Sequence, residues 1–145
     1  RQRQMCIRDR LGIDAAGRLK PCPSSPNCVS TRATDSRHQM APLPYRVDHA
    51  TSRHVILSVV RAMPRTTIVI QADHYLHVEF RSRLFGFVDD VEFQFDDEAA
   101  VIHFRSASRT GYSDRGVNRQ RMTAIEEAYR AATPGEVEGE RTPQG

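Results

Sequence analysis

Residues 66–106 read TTIVIQADHYLHVEFRSRLFGFVDDVEFQFDDEAAVIHFRS, and this stretch decides the fold. Apolar and polar side chains alternate along much of it, the period of strands that bury one face. Residues 66–71 are β-branched and apolar. Over residues 74–82, Leu76, Val78 and Phe80 take one face, while Tyr75, His77, Glu79 and Arg81 take the other. The short Ala72-Asp73 link predicts a hairpin between these two strands. Over residues 87–95, Phe87, Val91, Phe93 and Phe95 share a face with Asp89, and Asp90, Glu92 and Gln94 point away. Asp96-Asp97-Glu98 is a turn, and residues 100–106 form a fourth strand. There Ile102 and Phe104 lie opposite Val101, His103 and Arg105.

Outward from this core lie two helical patterns. Val55, Ile56, Val59, Val60 and Met63 recur at helical spacing and predict a helix over 51–63, capped by Thr51 or Ser52 and stopped by Pro64. A second helix is predicted from about Arg115 to Ala132, with Asp114 or Ser113 as its cap. Val117, Ala124, Ile125, Ala128 and Ala132 would form its buried stripe, with Met122 and Tyr129 beside it. Short links between consecutive strands favour an antiparallel meander. The expected fold is α+β, a two-layer sandwich of a four-stranded antiparallel meander with two helices on one face.

Residues 11–47 carry Pro21, Pro23, Pro26, Pro42 and Pro44 and lack sustained periodicity, so they read as an extended arm. Leu43, Tyr45 and Val47 alternate and could form a short edge strand. The α+β domain is then 48–132, and residues 133–145, rich in Pro, Gly and Glu, read as a disordered tail. The opening RQRQMCIRDR reads as a non-native leader, because Met5 to Arg10 resembles a translated sequencing adapter.

Setting that leader aside changes the electrostatics. The whole chain is +3, from 21 basic and 18 acidic residues. Arg1, Arg3, Arg8, Arg10 and Asp9 belong to the leader, so the remainder holds 17 of each and is neutral. A nucleic-acid partner therefore has no support from overall charge, and basic residues do not alternate with aromatics as a base-stacking platform needs. No stretch approaches the ~20 apolar residues of a membrane span. At 145 residues the chain fits one domain.

Two stretches carry a family resemblance. One is Pro21-Cys22-Pro23-Ser24-Ser25-Pro26-Asn27-Cys28-Val29-Ser30, and the other runs from Phe80 to Arg121 and includes FRSRLFGFVDDVEF and RSASRTGYSDRGVNRQR. Both resemble the family known as domain of unknown function 1499, over roughly residues 20–132. The resemblance brings no settled activity. It implies a protein of the cell envelope or periplasm, since many members carry a signal, lipid anchor or membrane segment before the domain. A cytoplasmic location is the alternative.

Three constellations could carry chemistry. Cys22 and Cys28 read as a disulfide that closes a small loop in the arm; inert thiols, or a redox or metal role, are the alternatives. Asp89 and Asp90, with Glu79 and Glu92, are the acids of the middle strands. Neighbouring strand residues face opposite ways, so Asp89 and Asp90 do not form a simple dyad. Asp89, on the apolar phase, needs a partner, and an arginine is the obvious one. The third constellation is Arg105, Ser106, Ser108, Arg109, Asp114, Asn118 and Arg121, where a strand ends and a helix begins. A helix N-terminus flanked by Arg and Ser suits a phosphate, sulfate or carboxylate. With Asp89 and Glu79 these seven residues form the candidate ligand site, for a small anionic ligand or lipid headgroup. The competing reading is an internal network in which Arg105, Arg109 and Arg121 neutralise Asp89, Glu79 and Asp114.

The patterns of nucleophilic and metal catalysis are missing: no G-x-S-x-G surrounds Ser106 or Ser108, and neither H-E-x-x-H nor a Walker loop occurs. No cofactor and no metal is expected. The chain is thus expected to be a non-catalytic binding or structural domain of the envelope. Its rivals are a hydrolase-like enzyme using Asp89 as base on an anionic substrate, and a protein–protein interaction module.

Overall fold

The computed structural model describes residues 11–24, 26–83, 86–109 and 116–133. The alternating stretch forms one antiparallel sheet: β3 (Thr66–Gln71), β4 (Tyr75–Arg81), β5 (Val88–Asp96) and β6 (Val101–Ser108) pair in sequence order. The sheet differs from expectation in size. Among the described residues it has six strands, because the arm adds β1 (Cys28–Ser30) and β2 (Leu43–Pro44) along the outer edge of β6. An unpaired β6 edge would leave a row of backbone donors and acceptors open, and the arm's own backbone fills it. The edge strand expected at Leu43, Tyr45 and Val47 is thus only Leu43–Pro44, and Val47 stands exposed at a positive φ of 71°.

Register fixes which side chains share a face. Leu76 lies opposite Phe93, Val78 opposite Val91, Phe93 opposite Phe104 and Phe95 opposite Ile102. These side chains are buried, and they form one core with Val29, Leu43 and the apolar stripes of both helices. Phe87, expected on that face, precedes the strand and is 57% exposed.

Helix α1 (His49–Arg61) begins two residues before the predicted start. Asp48 caps it, its side chain accepting from the Thr51 N–H at 2.9 Å. Asp48 supplies the free carboxylate that the first turn's amides need, so Thr51 and Ser52 lie inside the helix. Helix α2 (Val117–Ala131) starts at Gly116, whose φ of 80° is a left-handed conformation suited to glycine. The predicted caps Ser113 and Asp114 lie outside the described residues. Its buried stripe is Asn118, Met122, Ile125 and Tyr129, whereas Val117, Ala124 and Ala128 are exposed. Spacings of four, three and four trace one face of a helix, and the larger side chains reach the core where alanine cannot. The α2 C-terminus is tied down by Arg46, which donates to the Tyr129 and Ala132 carbonyls, and by the Tyr129 hydroxyl, which donates to the Pro44 carbonyl at 2.7 Å.

The other face of the sheet is not left to solvent. The arm folds back on itself, with Ile13 bridging Leu19, and lies against β5. Gly12 N–H donates to Glu92 Oε2 at 2.6 Å, and Gln94 Nε2 donates to the Gly17 carbonyl at 2.7 Å. Under this cover Glu92 and Arg105 are buried. Cys22 and Cys28 are joined by a disulfide that anchors the arm to β1. No helix among the described residues is long and apolar enough to cross a membrane.

Candidate functional site

Strand alternation divides the predicted cluster in two. Asp89, Ser106, Ser108, Asn118 and Arg121 meet on the helix-covered face; Glu79, Arg105 and Arg109 lie on the arm-covered face. The eight described residues of the predicted cluster are therefore shared between two faces, because side chains of successive strand residues leave the sheet on opposite sides. Asp114 lies outside the described residues.

On the helix-covered face, Asp89 sits opposite Ser108, and Val91 opposite Ser106, in the β5–β6 register. Asn118 and Arg121, nearly one turn apart on α2, reach down onto this polar row. Ser106 Oγ donates to Asn118 Oδ1 at 2.6 Å, and Asn118 Nδ2 donates to Ser108 Oγ at 3.0 Å and to the Asn27 carbonyl at 3.2 Å. Arg121 Nη1 donates to Asn118 Oδ1 at 3.0 Å, and Arg121 Nη2 lies 2.8 Å from Asp89 Oδ2. The guanidinium also stacks over Phe80, 4.9 Å from the ring centroid. Asp89, an acid on an apolar phase, thus has the arginine partner that its burial demands.

On the arm-covered face the network is larger. Glu79 pairs in register with Asp90, and Glu92 pairs with both His77 and Arg105. Arg109, just past β6, holds two carboxylates at once: Nε donates to Asp90 Oδ2 at 2.7 Å, and Nη2 donates to Asp90 Oδ1 at 2.9 Å and Glu79 Oε2 at 2.6 Å. His77 Nε2 approaches Asp90 Oδ1 at 2.7 Å. Arg105 Nη1 lies 3.4 Å from Glu92 Oε1, and Glu92 also accepts from the Tyr75 hydroxyl. Arg105 therefore faces Glu92 rather than Asp89 or Glu79.

These contacts set the proton affinities. Burial raises the Asp90 carboxyl, but hydrogen bonds from His77 and Arg109 outweigh it and leave the group below the ordinary carboxylate range. The same bonds to Asp90, with Glu79 added, raise the Arg109 guanidinium, so it stays charged. Burial, and then the charge of Glu92, push the Tyr75 hydroxyl well above its usual value. Tyr75 is accordingly a hydrogen-bond donor here and not a base.

His77, Glu79 and Asp90 bring three ligand atoms within 4.8 Å of one another. Arg109 already spans both carboxylates, so a metal ion there would have to displace a fixed positive charge. The cleft beside this network is lined by Leu11, Pro23, Asp90, Arg105, Ala107, Ser108 and Arg109. Its free space is about 20 Å³, room for little more than a water molecule.

Tyr75 and His77 were not among the predicted site residues. Their signal was present, since both share the polar phase of β4 with Glu79. The Gly12 N–H and the Asn27 carbonyl enter as backbone groups, for which side-chain patterns carry no signal.

One comparison with known proteins identifies the chain. A family model described as "Protein of unknown function (DUF1499)" matches residues 18–128. No curated protein matches, and no solved structure matches. The match spans the disulfide-bearing part of the arm, the whole sheet and most of α2, and so the chain belongs to the DUF1499 family of proteins of unknown function.

Proposed function

We propose that the chain is a non-catalytic binding or structural domain of the cell envelope. The observation that carries this reading is how the polar groups of the candidate site are engaged. The hydroxyls of Ser106 and Ser108 bond to Asn118, and Asp89 is held by Arg121. A serine nucleophile needs a base within hydrogen-bond reach, and a general base needs a free lone pair aimed at its substrate. This engagement is what a fastening network requires, and it speaks against the hydrolase alternative. The Cys22–Cys28 disulfide supports an envelope setting, since such bonds persist in oxidising compartments.

A small anionic group, either a lipid headgroup or a free phosphate, is the ligand class for this cluster. Arg109 is the residue to meet it. Its side chain is 26% exposed, against 14% for Arg121 and 1% for Arg105. Asp90 and Glu79 fix the guanidinium plane through Nε and Nη2. On this face two arginines stand against Glu79, Asp90 and Glu92, so an anion competes with carboxylates already in place and binds weakly.

The test is to titrate the full chain with vesicles containing phosphatidylglycerol and, separately, with inorganic phosphate, using wild type and Arg109→Ala. Weak binding to one probe, lost in Arg109→Ala while the fold persists, supports the anion site. Equal binding by both proteins removes it and leaves the structural role. Hydrolysis of a phosphate or carboxylate ester that disappears in Asp89→Asn would overturn the non-catalytic reading altogether.

A further inference from the structure

A second cluster of titratable side chains lies at the opposite end of the sheet from Arg109. His49 opens α1, Asp73 and His74 form the β3–β4 turn, and Asp97 begins the β5–β6 turn. Asp97 Oδ1 lies 2.8 Å from His49 Nδ1, and Asp97 Oδ2 lies 2.8 Å from His74 Nε2. The Tyr45 hydroxyl donates to the same carboxylate at 2.7 Å. A carboxylate only accepts, so this geometry puts the ring protons on His49 Nδ1 and His74 Nε2.

The other ring nitrogens then carry lone pairs. His49 Nε2 lies 3.3 Å from Asp73 Oδ1, and His74 Nδ1 lies 3.3 Å from Asp73 Oδ2. With neutral imidazoles, lone pairs face carboxylate oxygens, an arrangement that only a cation or an added proton makes favourable. A zinc-class ion binds imidazole nitrogen and carboxylate oxygen at about 2.0–2.1 Å, which at a tetrahedral angle separates two ligand atoms by about 3.3 Å. The three ligand atoms of His49, Asp73 and His74 all lie within 4.8 Å of one another.

We propose that His49 Nε2, His74 Nδ1 and the Asp73 carboxylate bind a divalent cation of the zinc class, with Asp97 orienting both imidazoles from behind. Asp97 plays the part that a carboxylate commonly plays behind a metal-bound histidine, here for two rings at once. The two carboxylates match the charge of a divalent ion. Imidazole with carboxylate selects zinc and its transition-metal neighbours over calcium or magnesium, which prefer oxygen alone. A polar groove lined in part by Arg18, Arg32, His74 and Asp97 opens on the Asp97 side of the cluster. The Asp73 side chain is 76% exposed, so solvent reaches the ligand atoms and can supply a water as fourth ligand. Sequence spacing hides the site, because its four residues come from three separate segments. The proposal goes beyond the envelope-domain reading and shares no residue with the Arg109 cluster.

The experiment is calorimetric titration of the full chain with Zn²⁺ near neutral pH, with Co²⁺ absorption as a second readout. One ion per chain is expected. His49→Ala and His74→Ala should each weaken binding about tenfold or more, and Asp97→Asn by about 10–100-fold. His54→Gln, at a histidine further along α1 and outside the cluster, should leave it unchanged. His74→Cys, at a half-exposed turn position, should keep Co²⁺ binding and add a thiolate charge-transfer band, a gain that an unfolded variant would not give. Absence of Zn²⁺ binding by the folded wild type would overturn the proposal, and so would full binding by the His49→Ala/His74→Ala double variant.

Discussion

Arg121 and Asp89 meet across the helix–sheet interface, with Arg121 Nη2 at 2.8 Å from Asp89 Oδ2 and both side chains largely shut from solvent. The pair fastens α2 onto the polar end of β5. Removing one partner leaves the other charge buried and unpaired, which costs about 3–5 kcal/mol for a buried pair and falls at the low end here, where some exposure remains. Arg121→Ala and Asp89→Ala should therefore each lower stability by about 3 kcal/mol. The double variant Asp89→Leu/Arg121→Leu should be less destabilised than either single change, because it strands no charge. Denaturant unfolding of the three proteins checks this, and simple additivity of the single effects would refute the pairing.

Glu92 anchors the arm. Its carboxylate accepts from the Gly12 amide and from the Tyr75 hydroxyl and lies beside Arg105, all under the arm's cover. Glu92→Ala should release residues 11–20 while the sheet survives. Hydrogen exchange and limited proteolysis would then report faster opening confined to the arm. Tyr75→Phe removes one of the donors to Glu92 and should do the same more weakly. Protection of the arm unchanged in Glu92→Ala would show that it is held by other contacts.

The disulfide closes a short loop, with Cys22 and Cys28 six positions apart. In the chain-entropy model a loop this small contributes about 2 kcal/mol. Cys22→Ala/Cys28→Ala should lower Tm by roughly 4–8 °C for a domain of this size. Calorimetry with and without reductant tests the same quantity on the wild type. In protein from the native host, mass measurement should find these two thiols oxidised, and a reduced pair would remove the support for an envelope setting.

Acid should weaken the fold in two steps. Burial, and then the charge of Arg32, lower the His103 pKa below its ordinary 6.5, although Asp96 acts the other way. The unfolded chain then takes up this proton first, so stability falls as pH drops from about 6.5 toward the lower folded value. Asp90 is also lowered in the folded state, so its contribution is full above the ordinary 3.8 and is lost as pH falls through its folded value. Unfolding free energy measured from pH 8 to pH 2 should decline gently below about 6.5 and more steeply below about 4. His103→Gln should remove the first decline and leave the second. A flat profile between pH 7 and pH 5 would contradict the burial of a neutral His103.

The alternation between Thr66 and Ser106 by itself determined the four central strands, and it put Asp89 on the core side and Glu79, Asp90, Glu92 and Arg105 on the other. It could do so because a strand's two faces follow from a period of two, which the chain carries in its own order. The demand for an arginine beside Asp89 was legible for a similar reason, since a buried carboxylate must be paired whatever the fold. Only the tertiary structure decided which arginine answers which acid. Arg121 reaches Asp89 from a helix, Arg109 bridges Asp90 and Glu79 from beyond a strand end, and Arg105 turns to Glu92. It also decided that the arm covers the second face and completes the sheet's edge, because Pro-rich backbone pairs through its own amides and carbonyls and leaves no side-chain period to read. The His49, Asp73, His74 and Asp97 cluster has the same origin: its segments become neighbours only when two turns and a helix start are brought to one end of the sheet, and no local rule of sequence encodes that meeting.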